Sequence, residues 1–177
     1  MNKILLIVIT NVILLVAGIE KNDFYDLRAI SIDGDTISMD KFKNKTIMIV
    51  NVASRCGYTP QYSELQKLNM IYDSTLAILG FPSNDFLWQE PGDNDEIKLF
   101  CQRNYGVTFQ MFEKTNVKGK NIHPIYDWLS AKDKNGWNEQ APKWNFYKYV
   151  ISKEGKLINF FPSSISPLDS SITELIK

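Results

Sequence analysis

Two apolar runs of strand length bracket a helical pattern, and that arrangement leaves few folds open. Thr46-Ile-Met-Ile-Val-Asn-Val52 is β-branched and nearly continuous in its apolar character, the pattern of a strand buried on both faces. Leu76-Ala-Ile-Leu-Gly-Phe81 is a second such run, ended by Pro82. Between them Leu65, Leu68 and Tyr72 fall on one face of a helix. Thr59-Pro60 marks the helix start: threonine caps, and proline suits the first helical position because its missing N–H would have no partner there. The unit is β-α-β, which calls for parallel pairing and a right-handed crossover.

The flanking segments complete the pattern. Phe24–Ile32 alternates imperfectly, and Asp33-Gly34 supplies hairpin-turn chemistry before Thr36-Ile-Ser38, so an N-terminal β-hairpin is expected. Residues 83–92 form a polar loop that nevertheless contains Phe86, Leu87 and Trp88. Asp93-x-x-Glu96 reads as a capping box opening a helix with Ile97, Phe100 and Cys101 on its apolar face. Val107–Phe109 and Met111-Phe112 make a short extended segment, and Ile122–Leu129 a short helix. Lys132–Lys143 is polar, without period, and reads as a loop. Trp144–Ile151 and Lys156–Phe161 read as strands joined at Ser152-Lys-Glu-Gly155, and Ser166-Pro167 as the start of a last helix carrying Leu168, Ile172 and Leu175. A β-α-β unit followed by a hairpin and a final helix predicts an α/β chain with a thioredoxin-like fold, the N-terminal hairpin being an addition to its edge.

Composition narrows the function. The chain has 177 residues, enough for one domain with a proper core. Lys+Arg and Asp+Glu both count 20, with no long run of one sign, so no nucleic-acid partner is expected. Two cysteines and one histidine are too few for a closed zinc site, and no cofactor or metal is expected. Residues 1–18 stand apart: Met1-Asn-Lys3 precedes an apolar run over 4–18, of signal-peptide length. They are expected to be an export signal, or else an uncleaved N-terminal anchor, ahead of one domain over 19–177. The expected location is therefore periplasmic or secreted.

Cys56 lies between the first buried strand and the helix after it. There it meets unpaired backbone N–H groups and the positive end of the helix dipole, with Arg55 adjacent, and all three favour thiolate over thiol. A small buried hydrophobe is the plain alternative for a free cysteine; position argues for a reactive one. No cysteine stands three residues on, where Thr59 is found, so exchange of the thioredoxin type lacks its local partner. A lone activated thiol suits attack on a peroxide, giving a sulfenic acid that needs a second thiol for recycling. Cys101 is the sole candidate, and its place on an apolar helix face fits a core cysteine equally well. His123, the single histidine, reads as a structural side chain at a helix start rather than a base.

Asn51-Val-Ala-Ser-Arg-Cys-Gly-Tyr-Thr-Pro-Gln-Tyr62 resembles the active-site signature of the glutathione peroxidase family in its cysteine form. The resemblance runs on through Leu79–Asn84, Gln89-Glu-Pro-Gly92, Phe100–Phe109 and Lys143-Trp-Asn-Phe146, in order, over about residues 24–177. It implies reduction of hydrogen peroxide and organic hydroperoxides, with Cys56 as the peroxidatic thiol and Gln89, Trp144 and Asn145 as its polar partners. Amide and indole N–H groups suit a thiolate and the peroxide oxygens. The resemblance also places Cys101 at the resolving position of the two-cysteine branch. The implied cycle is sulfenic acid, then a redox-active Cys56–Cys101 disulfide, then reduction by a thioredoxin-like dithiol protein, with glutathione the other candidate reductant.

The sequence departs from the family in places. Ser83 stands where many members carry a further cysteine, and Asp85-Phe-Leu-Trp88 makes the loop into Gln89 bulkier. Ser130–Lys143 lacks the long insertion of tetrameric members, which implies a monomer. A peroxide-sensing relay built on the same cysteine pair is the competing class. An exported thiol-disulfide oxidoreductase is weakened by the missing Cys-x-x-Cys.

Overall fold

A computed structural model describes residues 23–176. The expected export signal, and with it the boundary at residue 18, lies outside them. Among the described residues no helix is long and apolar enough to cross a membrane.

Strand β3 spans Thr46–Val52 and β4 spans Leu76–Pro82, and every residue of both is buried. They pair in parallel along their whole length, from Thr46 opposite Leu76 to Val52 opposite Pro82. Helix α1, Gln61–Ile71, connects them. Beyond α2 (Asn94–Tyr105), the two-residue strand β5 (Gln110–Met111) adds in parallel to β4. Gly80 permits this edge to close: a Cβ there would stand 2.5 Å from Met111 Sδ. On the other side β6 (Lys148–Ile151) and β7 (Leu157–Phe161) add antiparallel, giving the order β5-β4-β3-β6-β7.

Side chains alternate across a strand, so buried strands feed two cores. Met48, Val50 and Val52 face one way and pack with Leu65 and Leu68 of α1 and Ile97 and Cys101 of α2. Ile47 and Ile49 face the other way and pack with α3 (Pro124–Ser130) through Ile125, Tyr126 and Leu129. Helices on both faces of a five-stranded mixed sheet make this a thioredoxin-like α/β fold. The N-terminal hairpin forms a separate pair, β1 (Arg28–Ile30) against β2 (Thr36–Ser38), and reaches the main sheet through an isolated bridge from Ser31 to Phe112 beside β5.

Several boundaries differ from the sequence expectation, each for a local reason. Thr59 does not cap α1; its hydroxyl turns back to the Cys56 loop. Trp144–Tyr147 is not strand: Phe146 sits at φ 64°, and β6 begins at Lys148. The 132–143 segment contains a helical turn, α4 (Lys132–Asn135), too short to show a period. Buried Asn135 ties it down by donating to the carbonyls of Trp128, Leu129 and Asn138. The last helix, α5 (Ser170–Thr173), starts after Asp169, whose carboxylate accepts Ser171 N–H at 2.9 Å; Ser166 instead donates to Glu64. Of the extended segment foreseen near 107–112, only Gln110–Met111 is strand. His123 does sit at a helix start, its Nδ1 accepting Ile125 N–H.

Candidate active site

The site gathers at the C-terminal ends of β3 and β4, where open α/β sheets place their ligands. Cys56 lies in the turn between β3 and α1, 7% exposed. The Thr59 hydroxyl accepts Cys56 N–H at 2.9 Å and donates to Ala53 O at 2.8 Å, both bonds out of water. Thr59 N–H closes the turn onto Cys56 O at 3.0 Å. The sulfur itself accepts Tyr58 N–H at 3.4 Å.

Trp144 and Asn145 approach in the irregular turn before β6. Asn51, at the end of β3, holds that turn twice: its amide donates to Trp144 O at 3.0 Å, and its carbonyl accepts Phe146 N–H at 2.6 Å. Lys148 Nζ donates to Phe146 O, and Ser163 Oγ to Asn145 O. Four hydrogen-bonding groups thus fix a turn whose Phe146 has a left-handed backbone, disfavoured for a bulky residue.

Gln89 completes the circuit. Its side-chain oxygen accepts Asn145 Nδ2–H at 3.0 Å, and its carbonyl accepts Arg55 N–H at 3.0 Å, one residue from Cys56. The loop before it is strained. Leu87 and Trp88 both lie at positive φ, 53° and 54°, and are 67% and 77% exposed. Asp85 anchors them by accepting Val117 N–H at 2.7 Å, and Phe86 turns inward with its ring 5.9 Å from that of Trp144. Gln89 and Asn145 are therefore bonded directly, and Gln89 is tied by a main-chain bond to Arg55, beside Cys56.

Cys101 stands apart from that circuit. It is 1% exposed on α2, in the same core layer as Cys56, and both thiols are free. Burial pushes its thiol up to about 11. Between the Cys56 turn and α2 opens a cavity of about 640 Å³, bordered by Ser54, Arg55, Glu90, Ile97, Phe100 and Arg103. Sequence reasoning missed Glu90, Thr59 as a clamp of the turn, and Lys148. Nothing in a linear pattern announces that an acid after Gln89, or a lysine in an aromatic run, is fully buried. Burial raises the Glu90 carboxyl to about 7 and lowers the Lys148 ammonium to about 7. Among the described residues no group of three or more His, Cys, Asp or Glu side chains is placed to hold a metal.

Fold and site together define a thioredoxin-fold protein with a thiol in the turn before its first crossover helix and a Gln89–Asn145 amide pair tied to that turn through Arg55. The profile of the glutathione peroxidase family matches residues 24–130. The glutathione peroxidase of Lactococcus lactis is 45% identical over 157 residues, covering 87% of this chain and 99% of that protein. The glutathione peroxidase-like peroxiredoxin HYR1 of Saccharomyces cerevisiae is 42% identical over 159 residues, covering 88% and 98%. A solved structure described as Trgpx in apo form superimposes with a TM-score of 0.66 at 32% identity, over 87% of this chain and 95% of that one. The chain belongs to the glutathione peroxidase family and is an oxidoreductase that reduces peroxides.

Proposed function

We propose that the protein reduces hydroperoxides by a two-cysteine cycle in which Cys56 is oxidised and Cys101 resolves it. The Cys56 thiolate attacks the outer peroxide oxygen. An S–O bond forms, the O–O bond breaks, and the departing oxygen takes a proton to become alcohol or water. Gln89, Asn145 and Trp144 supply N–H groups for the charge that moves onto the leaving oxygen. Cys101 then displaces water from the Cys56 sulfenic acid, forming the disulfide. A dithiol protein of the thioredoxin type returns two electrons and two protons. One relative is named a peroxiredoxin, which agrees with a protein rather than glutathione as reductant.

One observation carries this reading: the hydrogen-bonded path from Asn145 to Gln89 to Arg55, beside a Cys56 sulfur that accepts a main-chain N–H. Cys101 is buried in α2, so it reaches Cys56 by local opening of that helix to meet disulfide geometry. The protein acts as an exported monomer, which calls for a dithiol donor in the same compartment. Peroxide consumption measured in parallel with thioredoxin and with glutathione tests the cycle. Turnover with thioredoxin is expected; turnover with glutathione alone would overturn the resolving role of Cys101.

A further inference from the structure

The segment after β7, residues 162–166, carries none of the groups assigned to the peroxide step, but it touches both sides of the site. Ser163 is buried. Its Oγ donates to Asn145 O at 2.5 Å, and its own carbonyl accepts Gln61 Nε2–H at 2.6 Å, both bonds out of water. Gln61 is the first residue of α1, and its N–H donates to Tyr58 O at 2.9 Å. Tyr58 N–H is in turn the donor to Cys56 Sγ. A continuous path of contacts thus runs from the Cys56 sulfur through Tyr58, Gln61 and Ser163 to Asn145. One turn along α1, Glu64 Oε2 accepts Ser166 Oγ–H at 2.7 Å, so the segment grips one face of the helix at two points. The bonds from Asn51 and Lys148 fall on Trp144 and Phe146; the bond to the carbonyl of Asn145 itself comes from Ser163. Gln61 Oε1 is buried without a partner among the described residues. A half-satisfied buried amide lowers stability, which leaves the hold on Ser163 as what the amide contributes.

We propose that Ser163 and Gln61 are positioning residues of the peroxide step, holding Asn145 at a fixed place relative to the start of α1 and so to the Cys56 turn. This rests on the reading above in which Asn145 acts on the peroxide. Neither residue touches the reacting atoms. Their effect passes through the main chain of Asn145, whose side-chain amide donates to Gln89 Oε1. Without the Ser163 hydroxyl, Asn145 O is a buried acceptor with no donor, and the peptide turns to find one. The Asn145 amide then leaves its place beside Gln89. A misplacement of about 1 Å costs on the order of 100-fold in rate, and a turn that keeps its bonds from Asn51 and Lys148 moves less than that. Cys101 and α2 lie off this path, so the loss falls on Cys56 oxidation and not on disulfide formation.

The test is a double-mutant cycle on the full chain, read as the rate at which reduced protein consumes hydrogen peroxide in its first turnover. Ser163→Ala should slow Cys56 oxidation about 10-fold. Ser163→Thr, which keeps the hydroxyl, should restore the parent rate. In an Asn145→Ala background, Ser163→Ala should change nothing further, because a residue that acts through Asn145 has nothing left to position. A merely structural role would slow the reaction by the same factor in both backgrounds. Gln61→Met cuts the other end of the bridge and leaves Ser163 Oγ intact; it should slow oxidation to a similar degree and likewise lose its effect beside Asn145→Ala. Parent-like oxidation in Ser163→Ala, or losses that multiply in the double variant, overturns the bridge; the Gln61 series decides in the same way if Ser163→Ala fails to fold. Asn145→Ala that consumes peroxide as fast as the parent overturns the role of Asn145 itself, and the bridge with it.

Discussion

One hydroxyl organises the turn that carries Cys56. Thr59 Oγ1 serves Cys56 N–H and Ala53 O together, both buried. Thr59→Val keeps the shape and strips both bonds, leaving a buried donor and a buried acceptor unpaired at about 1–3 kcal/mol each. The variant should unfold at lower denaturant and react more slowly with peroxide. A denaturation curve and a Cys56 oxidation rate like the parent's would contradict the clamp. In the cycle proposed, Gln89 bears on chemistry rather than on the turn. Gln89→Ala removes the partner of Asn145 and one amide donor near Cys56, and should slow Cys56 oxidation about 100-fold, as loss of one charge-stabilising donor does elsewhere. Stopped-flow mixing with peroxide measures it. The place of Cys56 was legible from the sequence because a strand and a helix start flank it locally. Gln89, Trp144 and Asn145 were singled out by resemblance alone, since the bonds that hold their turns, from Asn51, Ser163 and Arg55, are long-range.

Helix α2 has opposing tasks: it buries Cys101 and, in the cycle proposed, must release it. Its start is held by a full capping box. Asp93 Oδ1 accepts Glu96 N–H at 2.9 Å, and Glu96 Oε2 accepts Asp93 N–H at 3.1 Å. Its end is held by Gly106 at φ 60°. Asp93→Ala should cost about 1 kcal/mol of stability. Because α2 then opens more readily, the same variant should form the Cys56–Cys101 disulfide faster; amide exchange over α2 and the resolving rate check both halves. The box was legible because its residues are three apart. So were β3 and β4, whose bounds the apolar runs mark. The turn at Trp144–Tyr147 was not: its aromatic residues read as strand, while bonds from Asn51 and Lys148 hold Phe146 in the left-handed region. The Ser166-Pro167 signal misled in the same way, because Asp169 caps closer to the helix.

For the molecule as a whole, two buried titratable groups shape stability against pH in opposite senses. Glu90 has an ordinary value of 4.5 and lies at about 7 in the fold. Between those values the folded state keeps a proton the unfolded state has lost, so stability falls as pH rises, by up to about 3 kcal/mol above the window. Lys148 has an ordinary value of 10.5 and lies at about 7. There the unfolded state holds the extra proton, so stability rises with pH through that window. Together they set a minimum near pH 7. Glu90→Gln should remove the falling limb and Lys148→Met the rising one, as read from denaturation midpoints across pH. The whole-molecule order, a parallel crossover with a hairpin and helix after it, was legible because periodicity alone gives it; the pairing of buried charges with site loops was not, because burial of a polar side chain leaves no periodic trace. The cysteine pair is what ties these scales to function. The most direct measurement is the mass of Cys101→Ser and of the parent after one equivalent of hydrogen peroxide, with dimedone present in a second sample. The parent should lose its two thiol hydrogens and take no dimedone, while Cys101→Ser should take one dimedone at Cys56 and form no intramolecular disulfide. A parent that keeps both thiols free, or a Cys101→Ser protein that turns over with thioredoxin as the parent does, would contradict the two-cysteine cycle.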